Sequence, residues 1–172
     1  MIKPNFFLIS GGPGVGKTTL LEELRRRGER VVEETHRRLI REGRAESGSS
    51  RLGSLAARED IARFEAMKGV QERVFFDRGI VDSLTPQAPP WMWAAAKRLR
   101  YNELVFTPPP WPEIYTQDAE RRQTFEDCLA THEAIRRQLL DLGYQPITVP
   151  RGAVEARAAF ILEVTASLGF GA

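Results

Sequence analysis

The sequence predicts an α/β fold in which a parallel sheet carries helices on both faces. Three observations lead there. Five short apolar runs alternate with helical patterns along the chain, the order expected of a parallel sheet with crossover helices. Those runs are apolar throughout, as strands buried on both faces are. The first run, Asn5-Phe6-Phe7-Leu8-Ile9-Ser10, passes straight into Gly11-Gly12-Pro13-Gly14-Val15-Gly16-Lys17-Thr18-Thr19 and then an amphipathic helix. That is a G-x-x-x-x-G-K-T loop in the strand–loop–helix context that gives the motif its meaning.

The elements follow in order. A helix of about ten residues after the loop carries Leu20, Leu21 and Leu24 on one face and ends at Gly28. Residues 30–34 read as a short strand centred on Val31 and Val32, and 35–42 as a helix with Leu39 and Ile40 apolar. The polar stretch 43–53, with its glycines and serines, reads as a mobile loop. Apolar residues at 55, 56, 61, 64 and 67 make a helical stripe. Val74-Phe75-Phe76 is a buried strand that ends at Asp77-Arg78-Gly79.

Prolines at 86–90 break the chain before a short helix over 91–100. Leu104-Val105-Phe106 is a fourth strand, stopped by Thr107-Pro108-Pro109-Pro110-Trp111-Pro112. Thr124, with Asp127 three residues on, caps a helix that should bury Phe125, Leu129, Ile135, Leu139 and Leu142 and stop at Gly143. Residues 144–149 form a fifth strand, and Pro146 within it points to a sheet edge. Residues 154–168 close the chain as an amphipathic helix.

The glycine-rich loop specifies its ligand chemically. Glycines let the backbone curl and aim N–H groups inward at phosphate oxygens. Lys17 is placed to put its ammonium against the β and γ phosphates of a nucleotide. Thr18 would give its hydroxyl to Mg²⁺, and the first helical turn adds the positive end of its dipole. Gly11 to Thr19, each residue included, is therefore the candidate set for binding a nucleotide's phosphates, with Mg²⁺ as the expected metal.

Composition narrows the rest. A length of 172 residues suits one domain spanning 1–172. The net charge of +2 forces neither a nucleic-acid nor a membrane partner. Arginine outnumbers lysine, which suits phosphate recognition. Cys128 is alone, so no disulfide or cysteine zinc site is expected within the chain, and its neighbours place it in a helix interior. No apolar run approaches the roughly 20 residues of a membrane span. The N-terminal apolar run is too short for a signal peptide, so the expected compartment is the cytoplasm.

Ligands of such sheets sit beyond the carboxyl ends of the strands. That rim collects residues 11–18, 33–34, 77–79, 107–122 and 150–152. Asp77 ends a strand where the second acid of P-loop enzymes holds Mg²⁺, directly or through water, and Arg78 beside it is a candidate clamp for substrate or phosphate. Glu33 and Glu34 close the second strand, and face alternation lets one of them enter the cleft. Glu34 is the preferred candidate to receive a proton from an attacking hydroxyl, with Arg37 one turn later on the same side. His36, between charged residues, is expected at the surface. Arg121 and Arg122 follow the proline-rich stretch, where arginines on a mobile lid, about 107–123, can stabilise transferring charge. Trp91, Trp93 and Trp111 flank the same region.

These stretches together (7–21, 31–37, 74–82, 101–106, 110–114 with 118–121, and 150–157) resemble P-loop kinases of the nucleoside and nucleotide kinase type. Within them the chain is most similar to the nicotinamide riboside kinase-like group of bacterial AAA-family ATPases. The resemblance implies a P-loop NTPase fold with sheet order 2-3-1-4-5. It implies that the acid after the second strand engages the acceptor hydroxyl, pointing to Glu34. It implies that Asp77 with Arg78 handles Mg²⁺ and the acceptor side, that lid arginines 121 and 122 reach the phosphates, and that Arg151 with Gly152 holds the base.

The function expected is transfer of the γ-phosphoryl group of Mg-ATP to an unidentified small acceptor, nucleoside- or nucleotide-like. The alternative is an ATPase or ATP-sensing switch read by a protein partner. No Asn-Lys-x-Asp is present, so guanine recognition of the GTPase kind is not expected.

Overall fold

The strand β1 (Phe6–Ile9) is completely buried, and its alternation organises the molecule. Phe6 and Leu8 point to one face of the sheet, Phe7 and Ile9 to the other. Each such burial contributes roughly 1.5–3 kcal/mol, so a one-residue slip would forfeit both cores at once. The computed structural model describes residues 1–12, 14–47, 49–113 and 124–170.

Around β1 lie β2 (Arg30–Val32), β3 (Val74–Asp77), β4 (Leu104–Thr107) and β5 (Gln145–Thr148). All pair in parallel, in the order β2-β3-β1-β4-β5, the order implied by the resemblance. The helices are α1 (Lys17–Arg26), α2 (Thr35–Arg41), α3 (Ser50–Met67), α4 (Pro90–Arg98), α5 (Phe125–Asp141) and α6 (Val154–Ser167). A 3-10 turn, Ile80–Ser83, follows β3.

Helices α1 and α6 cover one face: Leu20, Leu21, Leu24, Ala158 and Ile161 pack on Phe7, Ile9, Phe75 and Phe106. The other face takes Phe64 of α3, Met92 and Ala96 of α4 and Leu139 of α5 against Phe6, Leu8, Val74 and Phe76. Edge-to-face ring contacts link Phe6 to Phe64 and Phe64 to Tyr101, with centroids 5.0 and 5.1 Å apart. Helix α2 lies on α3 through a separate cluster of Leu39, Leu52 and Ala56. Pro146 stands in β5, at the sheet edge. No described helix is long and apolar enough to cross a membrane.

Three local expectations change. The second strand stops at Val32, which leaves Glu33 and Glu34 in the turn before α2. The stretch 43–53 is not all loop, because α3 begins at Ser50. Ser49 caps it by accepting a hydrogen bond from the Leu52 N–H, 3.1 Å away, and that removes the penalty of opening a helix on small polar residues. Helix α5 buries Cys128, His132 and Leu139 and leaves Leu129 exposed. Its inward stripe runs at 128, 132, 135 and 139, and Leu129 falls beside it. The cap itself is as the sequence indicates: Thr124 and Asp127 form a complete capping box.

Candidate active site

The loop between β1 and α1 takes its curvature from Gly14 and Gly16, whose φ angles of 77° and 75° favour glycine. Helix α1 starts on Gly16 with no side-chain cap and no acid in its first turn. Its leading N–H groups are therefore left for an anion. Helix α5, by contrast, closes its own start with the capping box and places Glu126 and Asp127 there.

Lys17 is buried, and its Nζ donates to the carbonyls of Gly11 and Gly12 at 2.9 and 2.8 Å. Burial, helped by the neighbouring Arg78, pulls its pKa down to about 8, against the opposing pull of Asp77 and Glu34. Thr18 and Thr19 face a cleft of about 350 Å³ that also takes in Gly14, Gly16, Lys17, Glu34, Arg37, Trp111, Gly152, Val154 and Arg157. Pro13 lies outside the described residues.

Pairing of Ile9 with Asp77 brings the end of β3 beside the start of the loop. The Asp77 carboxyl is buried, and its Oδ1 has no hydrogen-bond partner. Burial raises its pKa to about 6, with Lys17 pulling the other way. Asp77 and Thr18 line the same groove between α1 and α2. An unpartnered carboxylate oxygen and a hydroxyl are hard oxygen donors suited to Mg²⁺, so these two residues fit the metal. Among the described residues, no cluster of three or more His, Cys, Asp or Glu side chains forms a metal site by itself.

Arg78 has the left-handed φ of 61°, held by its N–H on the Ile9 carbonyl at 3.1 Å. Its guanidinium reaches Glu34 Oε1 at 3.2 Å and the Gly11 carbonyl at 3.3 Å. Behind it, Asp82 accepts from the Gly79 N–H at 2.9 Å and from the Ser10 hydroxyl. Gly79 is needed for space: a β-carbon there would lie 2.6 Å from the Tyr101 hydroxyl.

Glu34 is the cap residue of α2, and its carboxylate is mostly buried in the cleft between Arg78 and Arg37, whose Nε is 3.6 Å away. Glu33 points outward to Arg25 at 3.1 Å. His36 departs from expectation. It is half-buried, with Nε2 3.4 Å from the Ser83 hydroxyl, because α2 packs its first turn under the 3-10 turn. Burial and Arg78 together lower its pKa.

At the other end of the cleft the arginines exchange places. Gly152 lines it, but Arg151 is exposed and turns to the Pro110 carbonyl at 3.2 Å. The cleft instead receives Arg157 of α6, which is 5% exposed and donates to the Val15 carbonyl at 3.0 Å. Its guanidinium also lies 5.8 Å from the Trp111 ring centroid. Trp91 and Trp93 pack on the core. The signal for Arg157 was present in sequence: it shares the stripe of Ile161 and Thr165, where a lone charge must have a buried partner. Arg121, Arg122 and most of the expected lid lie outside the described residues.

The AAA domain family matches residues 6–157, most of the chain, and the chain belongs to that family. No curated protein matches the sequence. Shikimate kinase from Acinetobacter baumannii, in complex with shikimate, is similar in structure, with a TM-score of 0.61, 16% identity, and 96% of this chain and 94% of that one covered. Deoxyadenosine kinase from M. mycoides, with dCMP and dCDP, gives a TM-score of 0.64, 12% identity, and coverage of 94% and 99%. Thymidylate kinase from Candida albicans gives 0.65, 12% identity, and coverage of 96% and 92%. At such identities the likeness shows the fold, which is that of these P-loop kinases.

Proposed function

We propose that this member of the AAA domain family binds Mg-ATP and transfers the γ-phosphoryl group to a small, nucleoside- or nucleotide-like acceptor. The observation that carries the reading is the position of Glu34. Its carboxylate shares one cleft with Lys17 and Thr18 and pairs with Arg78. The kinases of the same fold act, by their names, on shikimate, deoxyadenosine and thymidylate, which supports a small acceptor.

Helix α1 and the loop backbone bind the β and γ phosphates. On nucleotide binding, Lys17 exchanges the Gly11 and Gly12 carbonyls for phosphate oxygens and neutralises charge as the β–γ bridging bond breaks. Thr18 and Asp77 would hold Mg²⁺, which when bound would supply further charge neutralisation. The acceptor oxygen bonds to the γ-phosphorus, ADP leaves, and Glu34 receives the proton that the acceptor hydroxyl loses. Arg78 and Arg37 hold Glu34 and the acceptor in place. Arg121 and Arg122 are assigned to the transferring phosphoryl group. Gly152, Trp111 and Arg157 border the base end of the cleft.

An acceptor screen tests this: nucleosides, nucleotides, sugars and hydroxy acids with γ-labelled ATP. One acceptor class should become labelled in a Mg²⁺-dependent reaction. Hydrolysis of ATP at one rate with and without every acceptor would overturn the transferase reading and favour the ATPase or switch.

A further inference from the structure

We propose that Asp60 of α3 is a positioning residue for Glu34, acting through Thr35. Helix α2 is only seven residues long and its cap residue makes no side-chain cap hydrogen bond. A helix this short does not hold its own start. The anchor comes from α3. The Thr35 hydroxyl donates to Asp60 Oδ1 at 2.5 Å, and one turn further along α3 Arg63 donates to the Glu33 carbonyl. The two contacts take hold of the residues on either side of Glu34. They leave the Glu34 carboxylate, which makes no cap hydrogen bond of its own, to reach Arg78 at 3.2 Å.

Asp60 is a costly group for a merely structural contact. It is 8% exposed and Thr35 is 2% exposed, and a carboxyl in such surroundings is expensive to keep. Burial raises its pKa to about 7, opposed by the Thr35 hydrogen bond and by Arg63, with Asp82 and Glu59 adding to the rise. A leucine would pack there at less cost, but only an acceptor receives the Thr35 hydrogen bond. The opposite member of the Glu34–Arg78 pair has the same arrangement, since Asp82 braces the Arg78 turn from behind. The pair is thus held on both sides by carboxyl groups, the buried Asp60 and the half-buried Asp82, that do not line the cleft.

The kinetic part of this role rests on the assignment of Glu34 to phosphoryl transfer; the anchoring itself does not. The experiment therefore has two readouts. Amide hydrogen exchange is measured over residues 33–38 in wild type, Thr35→Val, Asp60→Leu, Asp60→Asn and the Thr35→Val/Asp60→Leu double variant, alongside acceptor kcat and ATP KM. Thr35→Val and Asp60→Leu should each speed exchange and lower kcat about 10-fold, with ATP KM changing less than about twofold. The double variant should be no worse than either single change. Asp60→Asn keeps an acceptor oxygen and should remain within about threefold of wild type. Thr35→Val, nearly isosteric, carries the test if Asp60→Leu does not fold. Unchanged exchange at 33–38 in folded Thr35→Val overturns the proposal, as do additive losses in the double variant or equal losses in Asp60→Asn and Asp60→Leu. If no acceptor exists for wild type, the transferase reading fails and the exchange result still decides the anchor.

Discussion

The two halves of the cleft are built differently. On the proposed reading, the donor half is the stretch 11–19, and its described residues take their shape from backbone: the left-handed Gly14 and Gly16, an uncapped helix start, and carbonyls held by Lys17 and Arg157. The proposed acceptor half is assembled from side chains of separate elements. Glu34 comes from the start of α2, Arg78 from the end of β3, and each is flanked by a carboxyl group of its own, the buried Asp60 through Thr35 and the half-buried Asp82. Every nucleotide triphosphate presents the same phosphates, so backbone N–H groups suffice to hold them. Acceptors differ, and discriminating among them takes side chains at independently adjustable positions.

If the halves are separable in this way, variants should separate them too. The largest effect is expected at Lys17. Lys17→Ala should lower turnover about 1,000-fold or more, because the ammonium opposes charge on the leaving phosphates; near-normal turnover would remove the donor half from the comparison. Glu34→Gln comes next, with transfer to the acceptor falling about 100-fold. Calorimetric ATP affinity should stay within a few-fold, and an equal loss of both would mean the halves are one unit.

Asp77→Asn sharpens the boundary between them. The folded-state pKa of Asp77, about 6, lies above the ordinary 3.8. The folded protein therefore holds the extra proton, and stability falls as pH rises between those values. Removing the charge should stabilise the ligand-free protein by roughly 1–3 kcal/mol at pH 7.5, while abolishing the added thermal stability that Mg²⁺ gives with ATP. Urea melts from pH 4 to 8 would show the slope flatten, with a residual fall of the same sign from Asp60, whose pKa is about 7. The smallest effect is at Arg157. Arg157→Ala strands the Val15 carbonyl and should weaken nucleotide binding about 10-fold, leaving acceptor KM unchanged; a change in acceptor KM instead would place Arg157 in the other half.

Particular residues show how far the chain was legible. Strand, loop and helix at 6–26 could be read directly, because the glycines, Lys17 and Thr18 act through local geometry that neighbours in sequence create. Asp77 and Arg78 were legible from their place at a strand end. Arg151 and Arg157 were harder. Both are arginines after β5, and only the rotation of α6 against the loop decides that Arg157 meets the Val15 carbonyl while Arg151 turns to Pro110. His36 looked exposed among charged neighbours, yet the 3-10 turn lies over it. The polar residues around 43–53 resembled a loop because a helix start and a loop share serine and glycine; the Ser49 cap distinguishes them.

By itself, then, the sequence determined the α/β class, the positions of the strands and the phosphate-binding loop, since periodicity and glycine placement act over a few residues. Tertiary structure alone decided that Glu34 rather than Glu33 enters the cleft, that Asp60 stands behind it, and that Arg157 closes the far end. Those choices depend on how α2, α3 and α6 pack, and they bring together residues 25 and 142 positions apart. No local pattern carries that information, because it is settled by which buried polar groups find a partner when the helices close on the sheet.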